Sequence, residues 1–372
     1  MIRKKFQKVF KKVSYSFFFK LYGIIDHSIK STDDKRIEVN KINKGNNINY
    51  NIYVIQNGRL YTDRIHDAAA IIDNKIIEGA SFQLRDGPNK TMQYSKVEDN
   101  IVFRKGTPRF LKKLDGNVLS LLTGGGGNNN YWHWLYDVLP KVYLCNEFVS
   151  LNNVDFFLLP STKRKFQNET LDSLKIPMGK RLSSENFRHI KTKKLIVTDH
   201  PVITTGNATK DIQNIPEWII LWLRETFLQN VALTNKKRIY IDRNDDEFSS
   251  TSLRSINNEK EVKDYLLKHD FSIVKLHKTH FSEQVSLFNN AEYVVGLHGA
   301  GFANISFCKP GTKIIEIKSP TSGDVIKNLA KKNSLNYKSI VSEYTEKPNF
   351  DFPTQQGNIH VSINNLIQEF KK

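Results

Sequence analysis

The second half of the chain alternates short apolar runs with longer amphipathic ones. RIYIDR, FSIVKL, YVVGLH, TKIIEI and YKSIVSE are strand-length runs rich in β-branched and aromatic residues. Between them, NEKEVKDYLLKHD, SEQVSLFNNA, GAGFANISFC and DVIKNLAKKN carry apolar positions at helical spacing. Strand and helix alternating across short joints predict a parallel sheet wound by helices, a Rossmann-like domain. PEWIILWLRETFLQN, before it, reads as a helix with Pro216 in its first turn. SINNLIQEFKK reads as a closing helix.

The first half is less regular. NIYVIQN, DAAAIID, IIEGASFQL, NVLSLLT, DFFLLP and KKLIVTD read as short strands, and YWHWLYDVLPKVYLCNEF and KRKFQNETLDSLK as helices. Residues 30–50, rich in Asn, Lys, Asp and Ser, read as a linker or loop. The expected organisation is a first α/β domain over 51–214, a second over 215–345, and a C-terminal tail helix over 346–372. Residues 1–30 stand apart. Ile2, Phe6, Phe10, Val13, Phe17 and Leu21 recur every three or four positions, the spacing of one helix face. Arg3, Lys4, Lys5, Lys8, Lys11 and Lys12 fill the rest, and no acid precedes Asp26. A basic amphipathic helix with an aromatic face suits an anionic bilayer surface. The alternative is a helix packed on its domain with a solvated lysine face.

At 372 residues the chain is long enough for two ordinary domains, and 39% hydrophobic content with 23 Phe supports folded cores. A formal charge of +18 and a pI near 9.6 point to anionic partners. The charge is spread along the chain, and no RNP, zinc-finger or KH pattern occurs, so nucleic acid is not the expected partner. Cys145 and Cys308 lack metal-ligand spacing and sit in apolar runs, as small core residues do, which fits a reducing compartment. No apolar run reaches membrane-spanning length. The first residues lack the long uncharged stretch and small-residue cleavage site of a secretory leader.

The densest chemistry lies in VVGLHGAGFANISFCKPGTKIIEI. A buried-type strand breaks at His298 into the turn Gly299–Ala300–Gly301, whose small residues let backbone N–H groups face outward at a helix start and bind phosphate. Glu316 closes the next strand, offering a carboxylate for a sugar hydroxyl. Phosphate cradle and carboxylate together read as a nucleotide site. Arg243 ends RIYIDR, and Arg254 precedes the helix begun by NNEKEV; guanidinium groups bind diphosphates bidentately. Gln284 is placed to brace the turn or to face water.

In the first half, four glycines lead into YWHWLYDVLP. His133 and Asp137 are four apart and share one helix face. A histidine beside a carboxylate there can remove a proton from a sugar hydroxyl, or form a buried structural pair. Tyr131, Trp132 and Trp134 are candidates for stacking on a sugar ring or for the core.

Several chemistries are excluded. HGAG is shared with the oxyanion loop of some lipases, but no G-x-S-x-G elbow exists. There is no P-loop, no H-E-x-x-H, no Cys/His cluster and no D-x-D clamp.

Together the motifs resemble glycosyltransferase family 61. YWHWLYDVLP, RIYIDR, RSINNE, EQVSLFNNA and HGAGFANISFCKPGTKIIE match that family's patterns in order and spacing, from about residue 118 to 345. The resemblance implies an α/β, GT-B-like fold: two Rossmann-like domains facing across a cleft, the first on the acceptor side and the second holding a nucleotide sugar. It implies an inverting transfer with no obligatory metal or other cofactor. His298, Gly299, Ala300, Gly301, Arg243, Arg254 and Glu316 would bind the donor, a UDP-linked sugar among others. Asp137 or His133 would be the base. Bacterial members resemble enzymes of capsule or lipopolysaccharide assembly. The expectation is therefore a cytoplasmic enzyme, peripheral on the inner face of the plasma membrane, acting on a polysaccharide or lipid-linked saccharide. Its rivals are a non-catalytic module that binds nucleotide sugar or polysaccharide, and a basic nucleic-acid binder.

Overall fold

The computed structural model describes residues 2–45, 48–88, 91–229, 231–243, 255–346 and 357–371. Arg254 lies outside them. The chain divides into two compact units, Met1–Arg164 with Ile176–Asp211, and Lys165–Lys175 with Ile212–Lys372. The fold is mixed α/β.

Among the described residues, the first unit is built on one sheet of twelve strands. One end of it is parallel: His189–Thr198 pairs with Lys112–Ser120, which pairs with Phe156–Leu159, which pairs with the edge strand Arg181–Ser183. Beyond His189–Thr198 the sheet turns antiparallel, through Arg59–Thr62 and Asn49–Gln56. Ile55, Leu60, Val118, Leu158, Ile190 and Leu195 form a core cluster. The parallel strands all point their carboxyl ends at one edge, where open α/β sheets hold ligands.

Residues 30–50 are not a loop. Ile37–Asn43 is a strand, antiparallel to Asn49–Gln56 in the register Ile37↔Ile55 to Asn43↔Asn49. Its polar composition hid an alternation, with Ile37 buried and Val39 packed on the core beneath. A one-faced edge strand needs only such alternate apolar positions.

The N-terminal helix runs Ile2–Tyr22. Phe18 is buried, Phe19 lies over Gly106, and the Tyr22 hydroxyl accepts from the Leu111 backbone N–H at 2.8 Å. The Tyr22 ring meets His189 edge-on, centroids 4.9 Å apart. No helix among the described residues is long and apolar enough to cross a membrane.

The second unit carries the regular half. Five parallel strands stand in the order Ser272–Val274, Arg238–Ile241, Tyr293–Leu297, Lys313–Lys318, Asn336–Val341. In chain order that is second, first, third, fourth, fifth. The neighbours on either side of the first strand leave in opposite directions, so the crevice between the first and third strands is a topological switch point. Tyr240, Val295, Ile315 and Ile340 fill the core with Val262 and Leu366. Ile359, Val361 and Leu366 are fully buried, so the closing helix Ile363–Lys371 is part of this core. The helix Glu259–Leu267 starts after Asn258, but the Asn258 amide oxygen accepts from the Val361 N–H at 2.9 Å instead of capping the helix.

Candidate functional site

Two clusters occupy the carboxyl edges of the two sheets. In the first unit, Lys112–Ser120 runs out into the glycine segment 124–127 and then into the YWHWLYDVLP helix. This helix is not uniform. Tyr131–His133 is a helical turn, Trp134–Val138 is π-helical, and Pro140–Asn146 is α-helical. Pro140 has no N–H, and its ring would crowd the Tyr136 carbonyl in an ideal helix; the wider turn, with Leu139 N–H bonded to Trp134 O at 3.0 Å, relieves that. The widened turn carries Asp137.

His133 Nδ1 lies 2.6 Å from an Asp137 carboxylate oxygen, Oδ2. Asp137 is buried, whereas His133 retains about a quarter of its side-chain exposure. The other Asp137 oxygen, Oδ1, is buried and without a hydrogen-bond partner among the described residues. Gly126 makes the pairing possible, because a Cβ there would sit 2.8 Å from the His133 ring. Burial pulls the His133 pKa down, but the Asp137 charge and hydrogen bond more than reverse this, and the net shift is upward. Trp134 is fully buried and Trp132 nearly so, packed 4.7 Å from Tyr136. These two tryptophans are core.

Sequence reading missed the neighbours of this pair. His200, just past the end of His189–Thr198, places Nε2 at 3.7 Å from Asp137 Oδ2. Its Nδ1 accepts backbone N–H groups of Val202 and Ile203 at 3.2 and 3.0 Å, so in the neutral ring the proton sits on Nε2, facing Asp137. Lys141, one helical turn beyond Asp137, is buried and donates to the Thr198 carbonyl at 2.6 Å. Burial brings its pKa down to about 8. Beside these groups lies a cavity of about 360 Å³ lined by Asn51, Gln83, Tyr94, Lys141, Asp199 and His200. Its mixture of donors, acceptors and an aromatic ring suits a polyhydroxylated ligand. Only the tertiary fold collects residues so far apart in sequence.

Burial lowers both His200 and His189 to about 4. Unfolded, each would titrate near 6.5, so as pH falls the unfolded chain takes up protons first. Their contribution is present above about pH 6.5 and is lost as pH falls toward 4, by at most about 3 kcal/mol each. His133, shifted upward, works in the opposite sense. Denaturant unfolding between neutral pH and pH about 4.5 should therefore show a clear loss of stability. A flat profile, or one unchanged in a His189→Asn protein, would show that these imidazoles are not held neutral.

In the second unit, Arg243 and the His298–Gly301 turn, both flagged in sequence, gather at the switch point. Arg243 follows the first strand, Arg238–Ile241, and His298 to Gly301 follow the third, Tyr293–Leu297. Arg243 Nη1 donates to the His298 carbonyl at 2.7 Å, tying the two strand ends together. Gly299 permits this, since a Cβ there would lie 2.9 Å from the guanidinium. Ala300–Phe307 is a 3-10 helix, tighter than the expected α-helix, with Gly299 as its extended N-cap. Gln284 braces it: its amide nitrogen donates to the Leu276 and Thr279 carbonyls, and its oxygen accepts from Asn304 at 3.0 Å.

Glu316 differs from a carboxylate open to a sugar hydroxyl. It is fully buried, paired through one oxygen with His298 Nδ1 and accepting the Tyr337 hydroxyl on the other. Sheet register explains this: Glu316 stands opposite Gly296 and Ser339, inside the sheet. Its direct partner is His298, which keeps slight exposure.

Residues 131–315, which include His133, Asp137, Lys141, His200, Arg243 and the His298–Gly301 turn, match a family of sugar-transferring enzymes, and the protein is a glycosyltransferase. The matching family model is Glycosyltransferase 61. The match is narrower than the stretch of resemblance read from the motifs. No curated protein matches the chain.

Proposed function

We propose that the protein is an inverting glycosyltransferase that extends a cell-surface polysaccharide of the capsule or lipopolysaccharide kind, using a nucleotide sugar. The observation that carries this reading is the convergence of Arg243 and the His298–Gly301 turn on the switch point of a parallel sheet. Backbone N–H groups at Gly299–Gly301 and the Arg243 guanidinium suit a diphosphate, and Glu316 acts through His298 by fixing its ring.

His133, oriented by Asp137, takes the proton from the acceptor hydroxyl. This assignment is supported by the greater exposure of His133 and by its Nδ1 being engaged, which leaves Nε2 for substrate. His200 faces the same Asp137 oxygen at 3.7 Å and helps hold its charge in place. The deprotonated oxygen forms the new bond to the anomeric carbon as the bond to the nucleoside diphosphate breaks, and the leaving diphosphate carries the electron pair. Donors already aimed at that charge stabilise it without reorganising. The first unit's cavity takes the acceptor saccharide. The enzyme works in the cytoplasm, held at the inner face of the plasma membrane by its N-terminal helix. A GT-B arrangement of the two units completes the proposal.

A panel of nucleotide sugars, read by thermal shift and then by release of nucleoside diphosphate, tests the reading. UDP-sugars should raise the melting temperature, since a ligand that binds only the native state stabilises it. Release of UDP should follow, with an inverted linkage in the product. Binding without turnover on any saccharide acceptor would point to a non-catalytic module instead.

A further inference from the structure

In the described part of the N-terminal helix, the apolar stripe of Val13, Phe17 and Leu21 is not the face that packs on the protein. Phe18, Phe19 and Tyr22 turn inward, whereas Val13, Phe17 and Leu21, four apart and so on one stripe, are 64%, 52% and 49% exposed. Ile24 continues the exposure past the helix end. A second element lies against this stripe. Phe110, in the segment 104–113 that joins the end of the short helix Ile101–Lys105 to the strand Lys112–Ser120, is 69% exposed, and its ring packs edge-on at 5.3 Å from Phe18 and 6.4 Å from Phe17. Exposed cations surround the patch: Lys11, Lys12 and Lys20 on the helix, Arg104, Arg109 and Lys113 beside Phe110. Lys105 is pushed down in pKa by burial and by Arg104 and Lys11, against smaller opposing pulls from Asp63 and Asp67, so the helix and the 104–113 segment lie close enough for their charges to interact. Neither residues 1–25 nor residues 100–114 contain an acid.

We infer that the N-terminal helix and the 104–113 segment form one composite membrane face, with Phe110 as an insertion point outside the helix. The occupant is an anionic bilayer. Apolar side chains ringed by cations, with no acid between them, match acyl chains beneath negative headgroups, whereas a second copy of this chain would bring the same positive charge against itself. The 104–113 segment does two further things. It receives Tyr22 through Leu111 N–H and Phe19 over Gly106, so the helix is clamped to the body and cannot swing as a free anchor. It also sets which side of the first unit meets the membrane. This rests on the peripheral placement proposed above and extends it from a helical tether to a fixed docking plane.

The full chain is tested by co-sedimentation with phosphatidylcholine vesicles, with and without phosphatidylglycerol. Wild-type protein should bind only the anionic vesicles and be released by salt. Phe110→Ser should weaken that binding about tenfold, the loss expected for one inserted aromatic side chain, with an unchanged melting temperature because Phe110 is exposed. Both native cysteines are fully buried, so Phe110→Cys can be labelled selectively with an environment-sensitive nitrobenzoxadiazole probe. Its emission should brighten and shift to the blue on anionic vesicles. Wild-type binding by Phe110→Ser, or a silent probe on bound protein, overturns the composite face. If deleting residues 2–21 still releases the protein in that case, the peripheral placement survives and only the second element falls. If wild-type protein ignores anionic vesicles, both fail. Self-association without vesicles that Phe110→Ser abolishes would assign the patch to a second copy and also overturn the inference.

Discussion

Replacing His133 by glutamine, or Asp137 by asparagine, should lower turnover by about 10²–10⁴-fold, the usual worth of a general base. Neither change should alter nucleotide-sugar affinity much, because both residues lie in the first unit and the proposed donor groups in the second. The two variants differ in their pH profiles. With His133 as base, the acid limb of kcat/KM reports its pKa, raised by Asp137 above the ordinary histidine value. Asp137→Asn removes the charge that raises it, so the limb should move to lower pH while the rate falls. If Asp137 were itself the base, His133→Gln would cost little. Wild-type rates in both variants would make the pair structural.

The second large effect is expected at the switch point. Arg243→Ala should weaken nucleotide-sugar binding by about 10- to 100-fold, corresponding to a lost charge-assisted contact of about 1.5–3 kcal/mol. Arg243 is exposed but ties two strand ends through the His298 carbonyl, so only a small fall in melting temperature should accompany the loss. His298→Ala should weaken binding too, but with a cost to stability of about 1–3 kcal/mol, because Glu316 stays buried and loses the His298 contact, keeping the hydrogen bond from the Tyr337 hydroxyl. Calorimetry on both variants separates the contact from the scaffold. Full affinity for UDP and UDP-sugars in both would remove the donor assignment. A loss in His298→Ala alone would restrict that assignment to the turn.

The second unit was the more legible. Each buried strand was a short β-branched run, each helix an amphipathic one, and the joints were short, so local pattern and final fold agree. The first unit was harder because much of its sheet is antiparallel, with one-faced strands such as Ile37–Asn43 whose alternate polar residues read as loop. The N-terminal segment was read as a helix, but its inward face was not foreseen. Phe19 and Tyr22 belong to the protein because Gly106 and His189 lie where they do, and no helical period contains that information.

What the sequence by itself determined is therefore whatever depends on neighbours along the chain. It set the pairing of His133 with Asp137 across one helical turn, the glycine turn after His298, and the alternating strands and helices that bring Arg243 to the carboxyl edge. The tertiary structure alone decided what depends on residues distant in sequence. It brought His200 to Asp137 and Thr198 to Lys141, turned Glu316 from an open carboxylate into a buried support for His298, and set Phe110 beside Phe17. Spacing along a strand or helix fixes which side chains share a face. Which faces meet, and which carboxylates lose water when they do, is settled only when the sheet orders its strands.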